Sequence, residues 1–305
     1  MSSRMNPEHM ARAIVDAHRD ALGLPVEPHA EPMSVQTGDA IFTAALQAAQ
    51  ALGFVPDDAL CVARAWSHQV QRTGQFDPLS WPDEPADFGM APFPRDGAFA
   101  ACPMALGLYA VMPDAPWTIR MARAGVPTVQ LRFKSTEASA VRAEVRAAVA
   151  GVQGTGARLF INDHWQEAID AGAYGVHLGQ EDLEAMTPAG LDAIRDAGLR
   201  LGLSTHGYAE MLIAERHSPS YIALGAVFPT TLKLMATAPQ GTGRLAAYSR
   251  LLRDVPRVAI GGIDLERLPA VLASGVGSVG VVRALMAASD VDATVAVWNA
   301  AIAAT

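Results

Sequence analysis

From residue 105 onward, short apolar runs alternate with alanine-rich amphipathic stretches. The runs at 106–112 (LGLYAVM), 128–133 (TVQLRF), 158–162 (RLFIN), 175–179 (GVHLG), 199–205 (LRLGLST), 221–228 (YIALGAVF), 258–262 (VAIGG) and 278–282 (SVGVV) read as strands. They are short and largely apolar throughout, as strands of a parallel sheet covered on both faces are. Stretches 116–125, 137–153, 164–172, 186–198, 206–218, 242–255, 264–275 and 290–304 read as helices. Eight successive strand–helix units predict an α/β fold, a (β/α)8 TIM barrel. A doubly wound open sheet uses the same unit and is the structural rival.

Residues 1–103 follow another pattern. A helix is predicted from Pro7 to Leu22, followed by a segment at 24–33, rich in proline and charge, that reads as a linker or extended strand. Asp39 is a suitable N-cap for a helix that stops at Gly53. A further helix fits Asp57 to Arg72, with Leu60, Ala63, Trp66 and Val70 on one face. Residues 74–102 hold Pro78, Pro82, Pro85, Pro92 and Pro94 and read as a structured loop. The chain therefore divides into a mainly helical extension, 1–103, and a barrel, 104–305.

Composition narrows the function. Half of the 305 residues are hydrophobic and 18% are charged, enough to fill a large core. The net charge of −8 argues against a broad nucleic-acid or anionic-membrane binder. An anionic substrate would have to be met by a local cluster of cations, a metal or helix N-termini. Two cysteines, Cys61 and Cys102, form neither a disulfide framework nor a zinc spacing, which fits a reducing cytoplasm. The first 32 residues contain no apolar run of signal-peptide type, and no uninterrupted apolar run of about 18 residues predicts a membrane span. Small-molecule partners are expected, with neither nucleic acid nor membrane among them, and self-association is left open.

In a parallel barrel, chemistry sits at the C-terminal ends of the strands. Those ends carry Gln130, Arg132 and Lys134; Asn162 and Asp163; His177, Gln180 and Asp182; Ser204, Thr205 and His206; Thr230, Thr231 and Lys233; Gly261 and Gly262; and Val282 with Arg283. Alternation puts Gln130, Arg132 and Lys134 on one side, where two cations call for an anion, or else a salt-bridged barrel layer. Asp163 is either a helix cap or, with Asp182 one strand away, half of a carboxylate pair. Two carboxylates with open positions suit a hexacoordinate Mg²⁺ shared with a diphosphate, and the lack of a Cys/His set disfavours zinc. Thr230, Thr231 and Lys233 supply hydroxyls and an ammonium suited to phosphate. The glycines ending the seventh strand are either a tight turn or a close approach of backbone N–H groups to a phosphate. His177 is either a satisfied core histidine or a substrate partner.

The motifs QLRFK, FINDH, GVHLGQED, GLSTH, GAVFPTTLK, AIGGI and GVVRAL stand in the order and spacing of the thiamine phosphate synthases, which the chain resembles over about residues 105–290. The resemblance implies a transferase that joins hydroxymethylpyrimidine diphosphate to hydroxyethylthiazole phosphate, with Mg²⁺ as cofactor. It further implies that Gln130, Arg132, Lys134 and Asn162 bind the pyrimidine diphosphate and that Asp163 and Asp182 hold the metal. Ser204 would lie near the pyrimidine and diphosphate, with Thr230 and Lys233 in a phosphate loop. Gly262 and the 282–283 backbone would hold the thiazole phosphate. Arg132, Lys134, Lys233 and Ser204 would carry the catalysis.

Two positions depart from the family pattern. Leu232 stands where its loop has a second threonine, and Arg283 where its eighth strand ends in serine. Thr231 could substitute for the first by a small shift, and Arg283 could either grip the thiazole phosphate or fill its site. Alternatives are a related thiazole tautomerase and a non-catalytic thiamine phosphate-binding barrel. Residues 34–73 distantly resemble the C-terminal helices of ribokinase-like hydroxymethylpyrimidine phosphate kinases. Too few residues precede them for a nucleotide-binding sheet, so the extension reads as a kinase remnant or packing appendage without kinase activity.

Overall fold

Period-two alternation assigns each strand residue to one of two cores in the computed structural model, which describes residues 6–25, 33, 35–92, 95–230 and 237–304. The extension supplies three helices: α1 (Pro7–Leu22), α2 (Ala40–Ala51) and α3 (Pro56–Thr73). The barrel then runs β1 (Gly107–Met112), α4 (Ala115–Arg123), β2 (Thr128–Leu131), α5 (Ala138–Val152), β3 (Arg158–Asn162), α6 (Trp165–Ala171) and β4 (Gly175–Leu178). It continues through α7 (Gln180–Ala185), α8 (Pro188–Asp196), β5 (Arg200–Thr205), α9 (Tyr208–Arg216), β6 (Tyr221–Leu224) and α10 (Gly241–Leu251). It ends with β7 (Arg257–Ile260), α11 (Leu268–Leu272), β8 (Ser278–Val281), α12 (Arg283–Met286) and α13 (Val291–Ala303).

All strand pairs are parallel and follow sequence order, and β8 returns to β1 with Tyr109 opposite Gly280, which closes the barrel. Leu108, Ala110 and Met112 of β1 face outward into a core shared with the helices, while Tyr109 and Val111 face inward. The inner core is small: Leu106, Tyr109, Val111, Phe160, Tyr221, Ala223 and Val258. Aromatics fill it where neighbouring strands offer glycine. A Cβ on Gly202 would lie 2.1 Å from Tyr221 Cζ, so only glycine admits that ring.

Strand ends fall at least two residues short of the sequence-based expectation in β2, β6 and β7, the last stopping at Ile260 rather than 262. β2 stops at Leu131 rather than 133, although Arg132 N still donates to Met112 O at 2.8 Å. β6 stops at Leu224 rather than 228, because the chain then turns toward β7: Val227 N donates to Ile260 O and Phe228 N to Gly261 O. The short helices α7 and α12 were not predicted. The helices expected at 7–22, between Asp39 and Gly53, and at 57–72 are present.

The extension packs on the barrel flank at α9 and α10, and its apolar residues belong to the same buried cluster as the outer barrel core. Arg244 of α10, only 2% exposed, crosses the seam: Nε donates to Leu22 O at 2.9 Å and Nη2 to Leu52 O at 2.8 Å. These carbonyls sit at the C-terminal ends of α1 and α2, where a cation complements the helix dipole. The proline-rich 74–102 segment is a strap, described except at 93–94, with one short 3₁₀ turn at Pro85–Phe88. Its Trp81 indole donates to Tyr208 OH at 2.9 Å, and Phe88 stacks on the same ring. Most of the predicted linker at 24–33 lies outside the described residues.

Candidate active site

The carboxyl ends of β2, β3 and β4 bring three charged groups together. Lys134 Nζ donates to Asp163 Oδ2 at 2.9 Å, with side-chain exposures of 61% and 23%. Asp163 does not cap a helix: the N-cap of α6 is His164, without a side-chain cap, and Asp163 adopts a left-handed φ of 64°. That backbone setting, tolerated by Asp better than by most residues, turns its carboxylate toward the mouth. Asp182, in the first turn of α7, accepts from Gly179 N at 3.1 Å. Burial, and next the charge of Asp163 beside it, push the Asp182 carboxyl above the ordinary carboxylate range.

A carboxylate whose ionisation is made costlier by burial and by a second carboxylate beside it suits a cation. Among the described residues no group of three or more His, Cys, Asp or Glu forms a metal cluster. Two hard oxygen donors fit a cation such as Mg²⁺, which keeps water and substrate oxygens for its other positions. Half-buried Arg132 stands one step before this cluster, and among the described residues its guanidinium has no hydrogen bond or ion pair. A guanidinium two residues before an ammonium is suited to an anion on a chain that is acidic overall.

Gln130, Asn162, His177 and Ser204 point into the barrel and share one buried hydrogen-bond chain. Gln130 Nε2 donates to Asn162 Oδ1 at 2.8 Å, and Tyr109 OH donates to Gln130 Oε1 at 2.9 Å. His177 Nε2 lies 2.8 Å from Ser204 Oγ, and Gln180 Nε2 donates to Ser204 O at 2.6 Å. Tyr109 and Tyr221 link the two halves of this chain, and sequence reasoning missed both. The available signal was a phenol in the middle of an otherwise apolar strand (LGLYAVM) and another opening YIALGAVF.

On the opposite side of the mouth, Gly261 and Gly262 both have positive φ, 106° and 65°. A Cβ on Gly262 would lie 2.6 Å from Pro229 O, so the β7 end is pressed against the loop after β6. Val282 is the N-cap of α12, and Arg283 is exposed at its start. Thr230 is half-buried in the loop after β6. Thr231, Leu232 and Lys233 lie outside the described residues, so the structure places only the first residue of the expected phosphate loop.

The profile of the thiamine monophosphate synthase family matches residues 109–285. A thiamine-phosphate synthase of Neisseria meningitidis serogroup A is 53% identical over 195 residues, covering 64% of this chain and 94% of the relative. One of Cronobacter sakazakii is 55% identical over 192 residues, covering 63% and 90%. The solved thiamine phosphate pyrophosphorylase of Pyrococcus furiosus superposes with a TM-score of 0.55 at 26% identity, over 65% of this chain and 96% of that one. The matched region contains the whole polar mouth and leaves out the helical extension. The closed barrel, the motif order at its strand ends and these likenesses place the chain in the thiamine monophosphate synthase family.

Proposed function

We propose that the mouth joins hydroxymethylpyrimidine diphosphate to hydroxyethylthiazole phosphate, the Lys134, Asp163 and Asp182 cluster receiving the diphosphate beside Arg132. Family membership and the 53–55% identical relatives carry the transferase activity itself. The observation that supports the residue roles is the Asp163 and Asp182 carboxylate pair joined to the Lys134 ammonium at the ends of β2 to β4, with Arg132 two residues before Lys134.

In the reaction the bond from the pyrimidine methylene to the diphosphate oxygen breaks, and a bond from the thiazole nitrogen to that methylene forms. Negative charge grows on the departing diphosphate and positive charge on the methylene. Arg132 and Lys134 stabilise the first, joined by Lys233 on the strength of the motif alone. The aminopyrimidine ring delocalises the second. The thiazole nitrogen carries no proton, so attack needs no general base. Asp163 and Asp182 would hold Mg²⁺, which when bound adds electrostatic stabilisation to the diphosphate. Even a modest ~10⁶-fold acceleration requires ~8 kcal/mol of barrier reduction, and fixed cations in a mouth of lowered dielectric are suited to supply it.

Gln130, Asn162, His177 and Ser204 would line the pyrimidine and diphosphate side. Thr230, Thr231, Gly261, Gly262 and the backbone at Val282 and Arg283 would receive the thiazole phosphate. No described helix is long and apolar enough to cross a membrane. Cys61 and Cys102 are unpaired thiols, in keeping with a cytoplasmic setting, and burial raises both to about 11. The test is turnover in Arg132→Ala: a large loss of kcat/KM for the pyrimidine diphosphate, with KM for the thiazole phosphate little changed, supports the assignment. Wild-type kcat, or a raised KM for the thiazole phosphate with that for the pyrimidine diphosphate unchanged, would count against it.

A further inference from the structure

Two buried tyrosines join the Gln130 and Asn162 pair to the His177 and Ser204 pair. Tyr109 OH lies 2.6 Å from Tyr221 OH, and Tyr221 OH lies 2.6 Å from His177 Nδ1. With the contacts above, Asn162, Gln130, Tyr109, Tyr221, His177 and Ser204 form one continuous chain. Both phenols are buried, and burial, the first cause in each case, pushes both well above the ordinary phenol range, so each keeps one proton.

Counting protons fixes the direction. Gln130 gives an N–H to Asn162, so its oxygen faces Tyr109 and accepts that phenol's only proton. Tyr221 must then donate to Tyr109, which leaves its oxygen as the acceptor for His177 Nδ1–H. A neutral His177 consequently presents a bare Nε2, and Ser204 donates its proton to it. Reversing the Gln130 and Asn162 amides would reverse every bond, so amide orientation and imidazole tautomer are a single choice. The observed orientation leaves Asn162 Nδ2, a donor, for the mouth, and this is the orientation an anionic group selects.

We propose that Tyr109 and Tyr221 are positioning residues: they hold His177 in its Nδ1–H tautomer, so that Ser204 Oγ turns its lone pairs to the mouth and accepts an N–H from the substrate. The donor such an oxygen takes is an amino group on a heterocycle. This substrate-facing half rests on the reading of the mouth given above, whereas the tautomer stands independently of it.

The experiment is ring ¹⁵N spectroscopy of the full-length protein labelled at histidine, at pH 8, where an ordinary imidazole (pKa about 6.5) is neutral. His177→Gln identifies the resonance. Wild type is expected in the Nδ1–H form, both alone and with inorganic diphosphate and Mg²⁺. Tyr109→Phe, which does not touch His177, should invert it: Tyr221 loses its acceptor, donates to Nδ1 instead, and the ring proton moves to Nε2. Tyr221→Phe removes the acceptor directly and gives the same inversion, should Tyr109→Phe not fold. With either phenylalanine, kcat/KM for the pyrimidine diphosphate should fall about tenfold. An Nε2–H or doubly protonated His177 in wild type overturns the proposal. So does a tautomer that either substitution leaves unchanged. Because the tautomer is read without turnover, a failed ligation assay would leave this result standing.

Discussion

Asp163 combines a left-handed backbone with a carboxylate bonded to Lys134, and the two properties separate by substitution. Asparagine tolerates the left-handed region, whereas alanine there costs about 1–2 kcal/mol. Asp163→Asn should therefore keep the melting temperature near wild type while lowering kcat about 10²–10³-fold, and Lys134→Ala should lower it by a similar factor. Wild-type turnover in either, with circular dichroism confirming the fold, would refute the cluster's role. The residue types of this site were legible in the sequence because strand alternation and strand ends are local features. Gln130, Asn162, His177 and Ser204 do share the barrel interior as alternation requires. What was not legible is the link among them, since Tyr109 and Tyr221 meet across 112 positions of chain.

At the scale of elements, α9 illustrates what sequence pattern leaves out. Its N-cap is Gly207, which offers no side chain, and Asp58 of α3 caps it instead by accepting from Ala209 N at 2.8 Å. A Cβ on Gly207 would lie 2.0 Å from the Asp58 carboxylate, so the absent side chain is what admits the cap. Asp58 is legible in the sequence only as a first-turn residue of its own helix, because its partner lies 151 positions away. Burial is the main cause that raises its carboxyl to about 6, opposed by the Ala209 N–H and by Arg244. A raised acid favours the folded state most below its unfolded pKa of about 3.8, and that contribution is lost as pH rises through about 6. The shift corresponds to about 3 kcal/mol at most. Asp58→Asn keeps an acceptor for Ala209 N–H and cannot ionise. Its stability relative to wild type should be near parity at pH 4 and rise by up to about 3 kcal/mol above pH 7, measured by urea unfolding at each pH. A difference independent of pH would contradict this account. The strand count was readable from the apolar runs. The ends of β2 and β6 were not, because hydropathy continues where the hydrogen-bond ladder has already left the sheet.

Across the whole molecule, a barrel recognisable from its own repeat and an extension outside the family match share one buried core. Arg244 is one of the polar links between them, with its guanidinium 3.7 Å from the centre of the Phe54 ring. Replacing it by methionine leaves the Leu22 and Leu52 carbonyls without this donor, and hydrogen bonds from charged groups contribute about 1.5–3 kcal/mol each. Arg244→Met should therefore lower stability by a few kcal/mol, and far-ultraviolet and aromatic signals should still unfold together in a single transition. Two separated transitions in wild type would show that extension and barrel are not one cooperative unit. The extension's helices were legible from their caps and apolar faces, but its seat on α9 and α10 was not, since it depends on contacts between distant residues. A ligation assay tests the activity of the mouth most directly. The purified protein, hydroxymethylpyrimidine diphosphate, hydroxyethylthiazole phosphate and Mg²⁺ are mixed, and thiamine phosphate is detected by oxidation to fluorescent thiochrome. Product that disappears with EDTA is the predicted result. A folded protein that forms none would contradict the account and indicate that Leu232 and Arg283 have turned the barrel to isomerisation or binding.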